Sequence, residues 1–553
     1  SEERRDALSR LLESEIPNWE LDLDLDLFVA DLDEGGGYAT TPGIRAEPPQ
    51  ILHTNEPAVL LLYDGDPKTQ PIDELPGLER VVNTVLPVLR ETKGNDYYLY
   101  GGDKLWYRAT DPLGPWTRTK SVPAAIERAV EGLELEEGLD PAVAASPPKI
   151  VVATEPTELV ITQGAPKWLP IGDLDLLYCD NTDSDLFLDI TSQRYFLLIA
   201  GRWYAGSGVA DQLTWVNVTN DDLPPAFANI PEGSVNGHVL AHVAGTVQAR
   251  EEALQNTIPQ TAAVRRDDTS FSVSYDGAPA FEPVQDLLEV RYAVNTRASV
   301  FLANGTYWAC DNAVWYQSSG AAGPWRVATE IPAVLYRIPA SNPHHNVTYV
   351  HVYETTPKVV YVGYTPGYVG SYWYHGTVVY GTGWYYNPWY RTYYYPRPWT
   401  YGFNVRYDPW YGWSFGMTWS NGPFSFTVRT GSWYRPPFYG GWYGPGGDRP
   451  PDYRPYPPPI YSKPRPTPYP VNRPGRPGLE RPVQRPADNL YGRPANRDRV
   501  AQRPATMDRA RPALLNEPNN LFTDRDGNVY RRDNNGAWQT RDSGRWAPAN
   551  SLD

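Results

Sequence analysis

The feature that most constrains this chain is a motif written three times in the same order. The first copy carries YDGDPKTQPI (63–72), VNT (82–84), YYLYGGDKLWY (97–107) and GPW (114–116). The second carries TQGAPKWLPI (162–171), DNT (180–182), YFLLIAGRWY (195–204) and LTW (213–215). The third carries YDGAPAFEPV (275–284), VNT (294–296), YWACDNAVWY (307–316) and GPW (323–325). Gly65 to Pro71, Gly164 to Pro170 and Gly277 to Pro283 are each six residues apart. Asn83 to Trp106, Asn181 to Trp203 and Asn295 to Trp315 span 23, 22 and 20 residues. Segments that recur in fixed order at near-fixed spacing are copies of one structural unit, so the chain has to fold as a tandem array of it.

Each copy reads as β. YFLLI and WY flank AGR, and YWAC and VWY flank DNA, which is the pattern of two strands around a short polar turn. Asp-Gly and Gly-x-Pro mark further turns. The expected fold class is mainly β: tandem repeats of a small β-rich domain, a Tyr/Gly/Trp-rich β unit and an extended Pro/Arg-rich C-terminal tail. The expected boundaries are 1–46 (N-terminal helix and acidic strand), 47–130, 147–232 and 259–340 (repeats 1 to 3), 341–445 (aromatic/Gly-rich unit), 446–520 (tail) and 521–553 (a small hairpin unit). Helix is expected only at 2–15, 248–257 and 124–136. In WELDLDLDLFVADLDE (19–34), strict alternation sets Glu20, Asp22, Asp24 and Asp26 on one face of a strand. A solvated acidic face explains them better than a calcium ladder. Trp413, Phe415, Met417 and Trp419 share one face of a hairpin expected over 413–428, a pattern also compatible with membrane contact.

Composition narrows the use of these strands. The chain has 40 Tyr and 20 Trp against 13 Phe and 2 Met, a bias toward rings that carry a polar handle. The net charge of −16 is uneven: residues 446–520 hold 14 Lys/Arg and 7 Asp/Glu, which is +7, and 521–553 balance, so 1–445 carry −23. An acidic body argues against nucleic acid as a partner, and a basic tail suits docking on such a body, its own or a neighbour's. Eleven of the 14 basic residues in 446–520 precede proline, so that stretch reads as an extended tether that cannot bury a core. No run of about 18 apolar residues exists, so no transmembrane helix is expected. A chain beginning at Ser1 fits a mature, exported protein or a trimmed one.

No nucleophile elbow, HExxH, phosphate loop or dinucleotide fingerprint occurs. No acidic residue recurs beside the aromatics, since Asp64 and Asp276 face Gln163 in the second copy. No enzyme, cofactor or metal is therefore expected. His238 with His242, and His344, His345 and His351, are the only histidine groupings, read as core or turn residues before metal ligands. Asp524, Asp526 and Asn528 suit an Asp-Gly turn better than a calcium loop. Cys179 and Cys310 fit either one bridge or two buried thiols. The recurring candidates for ligand contact are Trp106, Tyr107, Trp116, Trp203, Tyr204, Trp215, Trp315, Tyr316 and Trp325. If exposed, their flat faces would stack on sugars; if buried, they are the core plugs of their own repeats.

The NT, Y-x-x-x-x-G-x-W-Y and GPW elements, with YGTGWYY (380–386) and DGNVYRR (526–532), resemble a group of exported proteobacterial proteins labelled carbohydrate-binding module, family 5/12-like. The resemblance spans about 47–386 and the last 30 residues, and carries no residue roles with it. It implies export to the periplasm, outer surface or exterior. The expected function is a non-catalytic secreted or cell-envelope structural or interaction protein, self-associating or joining a partner through aromatic β surfaces and its basic tail. The alternatives are a polysaccharide-binding protein and an accessory subunit of a membrane complex.

Overall fold

The computed structural model describes residues 40–386 apart from short breaks, of which 131–147 is the longest, together with 490–492, 496, 499–500 and short strands within 389–414 and 521–548. The helix expected at 2–15, the acidic strand at 19–34 and the stretch 415–489 lie outside the described residues.

The three copies fold as three antiparallel six-stranded meanders, each with its strands paired in sequence order. Two lead strands, β1 (Gln50–Thr54) and β2 (Ala58–Leu62), precede the first. Repeat 1 is β3 to β8 (Thr69–Pro71, Leu78–Val81, Val88–Glu91, Tyr97–Tyr100, Trp106–Ala109, Thr117–Thr119), followed by helix α1 (Ala124–Ala129). Lead strands β9 (Lys149–Ala153) and β10 (Thr157–Ile161) open repeat 2, whose meander is β11 to β16 (Trp168–Pro170, Leu176–Cys179, Asp185–Asp189, Arg194–Ile199, Arg202–Ser207, Thr214–Val218). Two 3-10 turns (Pro225–Asn229, Gly237–His242) and helix α2 (Val247–Thr257) lead to β17 (Gln260–Arg265). Repeat 3 is β18 to β23 (Phe281–Val284, Leu287–Ala293, Ser299–Ala303, Thr306–Asp311, Val314–Ser318, Arg326–Val327) and ends in 3-10 turns at Ala333–Arg337 and His345–Tyr349. The aromatic unit supplies β24 (Val350–Thr355), β25 (Val359–Tyr364) and the hairpin β26–β27 (Ser371–Tyr374, Thr377–Tyr380). Short pairs follow at β28–β29 (Trp389–Tyr390, Tyr393–Tyr394) and β30–β31 (Arg406–Asp408, Gly412–Ser414). Trp413 thus pairs backward with Tyr407, and the forward pairing expected for 413–428 lies outside the described residues. Last come β32 to β35 (Leu521–Thr523, Val529–Arg532, Trp538–Asp542, Arg545–Pro548).

The repeated letters have repeated jobs. The glycines of the opening turns, Gly65, Gly164 and Gly277, sit at φ +77°, +76° and +76°, where a Cβ is disfavoured. The Asn of each N-T pins that turn. Asn83 Oδ1 accepts from Lys68 N at 2.8 Å while its Nδ2 donates to Asp66 O at 2.8 Å. Asn181 repeats this with Lys167 N at 2.7 Å and Ala165 O at 2.9 Å. Asn295 accepts from Ala280 N at 2.9 Å and donates to the Asp276 and Ala278 carbonyls, both at 2.8 Å. The hairpin loops also match: Ala200-Gly201, Asn312-Ala313 and His375-Gly376 are two-residue turns with both φ angles positive. That geometry matches the right-handed twist of the flanking strands.

The lead strands decide how repeats combine. Strand β1 pairs in parallel with β10, and β2 pairs in parallel with β9, so repeats 1 and 2 trade lead strands reciprocally. Backbone bonds continue the symmetry: Gly65 N donates to Thr154 O, and Gly164 N to Asn55 O, both at 3.1 Å. The strand–Pro–strand unit recurs at 350–364, with Pro357 standing where Pro57 and Pro156 stand. There it folds on itself, β24 against β25, and β17 adds to the outside of β25. Beyond β17 the sheet continues through β32 to β35.

Part of 446–520 lies among the described residues. The described residues there are packed: Leu490 is 5% exposed, Tyr491 1%, Asn496 0% and Val500 7%. Leu490, Tyr491 and Val500 interrupt the basic-Pro pattern and bury against elements far away in sequence.

Candidate functional site

Strand alternation sends successive side chains to opposite faces of a sheet, and each repeat places its Trp-Tyr pair at such a step. In repeat 1, Trp106 packs with Ile72, Leu89 and Ile126 on the α1 side, and Tyr107 packs with Val59, Leu61 and Val88 on the lead-strand side. In repeat 2, Trp203 meets Phe187 and Phe227 edge-on at 5.8 and 4.8 Å, while Tyr204 joins Val160 and Val378 on the other face. Trp315 and Tyr316 are both 0% exposed. Two of the indole N–H groups are also spent internally: Trp203 Nε1 donates to His242 O at 2.8 Å, and Trp315 Nε1 to Val350 O at 2.9 Å. Tyr107 Oη donates to Pro148 O at 2.8 Å, and Tyr316 Oη to Asp268 Oδ2 at 3.2 Å.

The sugar-platform expectation is therefore corrected for seven of the nine aromatics. Trp106, Tyr107, Trp203, Tyr204, Trp315, Tyr316 and Trp325 are at most 4% exposed and present no face to a ligand. Trp116 and Trp215 are half-buried. Trp116 is tied to Pro112 O at 3.2 Å, and Trp215 lies flat over Gly206, where an added Cβ would come within 2.9 Å of the ring.

The histidines are structural in their contacts. His238 Nε2 lies 2.7 Å from Asp185 Oδ1, and His344 Nδ1 lies 2.9 Å from Ser299 Oγ. His345 Nδ1 meets Ile338 O at 2.6 Å, and burial lowers this imidazole's pKa. His242 faces Val378 O at 3.2 Å, and its burial holds the ring's pKa down to about 4. His351 stacks on Tyr336 at 5.0 Å and is likewise held at about 4 by desolvation. Among the described residues no three His, Cys, Asp or Glu gather in a metal-binding cluster. Cys179 and Cys310 are free and buried. Glu158 on β10 stands at the step where β2 has Val59, and burial pushes its carboxyl up to about 8.

Two places draw distant segments together. At the first, Arg202, 2% exposed, donates to the carbonyls of Tyr380 and Gly381, both at 2.6 Å, and to Arg45 O at 3.2 Å. It ties the 40–47 segment and the fourth hairpin to repeat 2.

The second is the docking site of the tail on repeat 3. Tyr491 Oη donates to Ala313 O at 2.7 Å, and Asn496 Nδ2 donates to Asn312 O at 3.0 Å. The two open carbonyls of the hairpin turn are thus capped by the tail. Arg499 Nη1 pairs with Asp311 Oδ2 at 2.7 Å, its Nε donates to Ser270 Oγ at 3.2 Å, and its guanidinium sits 5.5 Å from the centroid of the Tyr316 ring. Arg265 N donates to Arg499 O at 2.7 Å, and Val500 bridges to Val264. Leu490 N donates to Tyr364 Oη at 3.1 Å. The equivalent turn of repeat 2 is capped differently: Ala200 O accepts from Tyr380 N at 2.9 Å. Sequence reasoning did not single out Arg202, Tyr491, Asn496 or Arg499. The NLYG that breaks the Arg-Pro pattern was the available signal.

No family model, no curated protein and no solved structure matches this chain.

Proposed function

We propose that this is a non-catalytic secreted or cell-envelope protein that serves as building material, self-associating or joining a partner through its β units and basic tail. The carrying observation is the reciprocal trade of lead strands between repeats 1 and 2. A unit whose strands are completed by a neighbour is a unit suited to assembly. The charge division supports the same view, because a body of −23 and a tail of +7 attract one another. Export follows from the resemblance to exported proteobacterial proteins. Light scattering during size exclusion at low and high salt tests assembly. Oligomers that weaken as salt screens the charges are expected; a strict monomer at both salts, across a wide concentration range, overturns the proposal.

A second reading, polysaccharide binding, keeps one specific observation. Trp116 and Trp215 retain partial exposure at corresponding ends of repeats 1 and 2. A polysaccharide pull-down with Trp116→Ala and Trp215→Ala tests it; unchanged binding in both variants removes these rings as the platform.

A further inference from the structure

We propose that the tail element made by Leu490–Gly492, Asn496, Arg499 and Val500 is a plug exchanged between copies, the plug of one chain seating on repeat 3 of a second chain. This rests on the assembly reading above and names its surface and its partner.

The seat is built for an occupant. Asn312 and Ala313 form a turn whose carbonyls receive Tyr491 and Asn496. Asp311 and Asp268 receive Arg499, at 2.7 and 3.9 Å. The buried Ala313 carbonyl and the Asp268 carboxylate, 7% exposed, each lose a partner when the plug leaves, which is costly. No covalent bond fixes which copy supplies the donors.

Three observations favour a second copy. First, 75 residues (415–489) lie in sequence between the end of β31 at Ser414 and Leu490. A long connector lowers the effective concentration of a chain's own plug, so a neighbour's plug competes with it on the same contacts. Second, trading elements is already how this fold works. The strand–Pro–strand unit closes on itself at 350–364 and exchanges at 50–62 with 149–161. Third, β17 corresponds to lead strands β1 and β9, which find parallel partners in the neighbouring repeat. β17 pairs antiparallel with β25 along its whole length, and it meets β32 in parallel at one position, Gln260 and Thr523, from the same C-terminal region as the plug. The C-terminal region thus adds to the margin of repeat 3.

The antiparallel bridge between Val264 and Val500 gives the test. Facing residues in such a bridge have Cα atoms about 4.5–5.5 Å apart, within the span of a disulfide. One full-length chain carries Val264→Cys, another carries Val500→Cys, and the two are mixed under mild oxidation. The unaltered chain, with Cys179 and Cys310 buried, is the blank. A disulfide-linked heterodimer is expected, and adding Arg499→Glu to the Val500→Cys chain lowers its yield about tenfold, the factor that 1.4 kcal/mol of lost affinity gives. A single chain carrying both cysteines reports whether the bridge forms at all. Failure of that internal bond removes the seat and overturns the proposal. An internal bond without any heterodimer, in a chain that sizing finds oligomeric, overturns exchange and leaves assembly standing. An internal bond in a chain that is always monomeric overturns both.

Discussion

Repeats 1 and 2 and the repeat 3 region use the same parts in two ways. In the first pair, each repeat lends its lead strands to the other, and the exchange is closed and symmetric. In the second region, β24 and β25 pair with each other, β17 joins their edge, and the tail caps the hairpin turn. The difference shows that the six-stranded meander is the fixed element and its lead strands are the variable one. A meander completes its own pairing except at its margins, so what covers those margins sets how many units hold together.

The largest expected effect tests whether the meanders are built alike. Trp203→Ala and Trp315→Ala each remove a buried ring and its N–H bond, and each should cost about 3–5 kcal/mol in chemical denaturation. A loss below about 1 kcal/mol at either site would mean that its ring is not a core plug.

Acid comes next. His242, 3% exposed, has a folded pKa of about 4 against an ordinary 6.5. The unfolded chain binds a proton below 6.5 that the folded chain refuses until about 4, so stability is whole above 6.5 and falls as pH drops toward 4. The loss for this residue is about 3 kcal/mol at most, at 1.36 kcal/mol per unit. His351, held at about 4, works in the same direction. Urea midpoints measured from pH 7 to pH 4 should fall, and His242→Gln should flatten the fall.

Asn295→Ala strips the clamp from the opening turn of repeat 3, removing the bond from Ala280 N and the two to the Asp276 and Ala278 carbonyls. A loss of about 2 kcal/mol is expected in thermal or urea unfolding, with a comparable loss for Asn83→Ala.

A smaller change sharpens the match among hairpins. Ala313 holds φ +60°, where repeat 2 and the fourth hairpin have glycine at Gly201 and Gly376. Ala313→Gly relieves left-handed strain that exceeds the added freedom of the unfolded chain, so stability in urea unfolding should rise by about 0.5 kcal/mol. A second pH-dependent effect belongs to Glu158→Val, which makes β10 resemble β2. A carboxyl pushed up to about 8 favours the fold when protonated, so its penalty grows as pH rises from 4.5 toward 8. The variant should therefore gain stability over Glu158 at pH 8 and little at pH 4.

The repeat, its β character and its hairpins were legible because they are local. The YFLLI-AGR-WY pattern reports strand alternation and turn chemistry within a dozen residues, and the structure has β14, a two-residue turn and β15 there. The helix expected at 248–257 is present as Val247–Thr257, while the one expected at 124–136 is described only as Ala124–Ala129. The Trp-Tyr steps were legible as positions but not as exposed or buried, because alternation fixes that the two rings diverge and not what lies beyond each face. The lead-strand trade and the docking of Tyr491 and Arg499 were not legible at all.

What the sequence by itself determined is the inventory: three like meanders, their turns, an acidic body and a basic tail. Only the tertiary structure decided who partners whom. The physical reason is that a strand edge offers the same backbone donors and acceptors to any other edge, so pairing across long separations is chosen by geometry and mutual burial, which no short stretch of residues encodes.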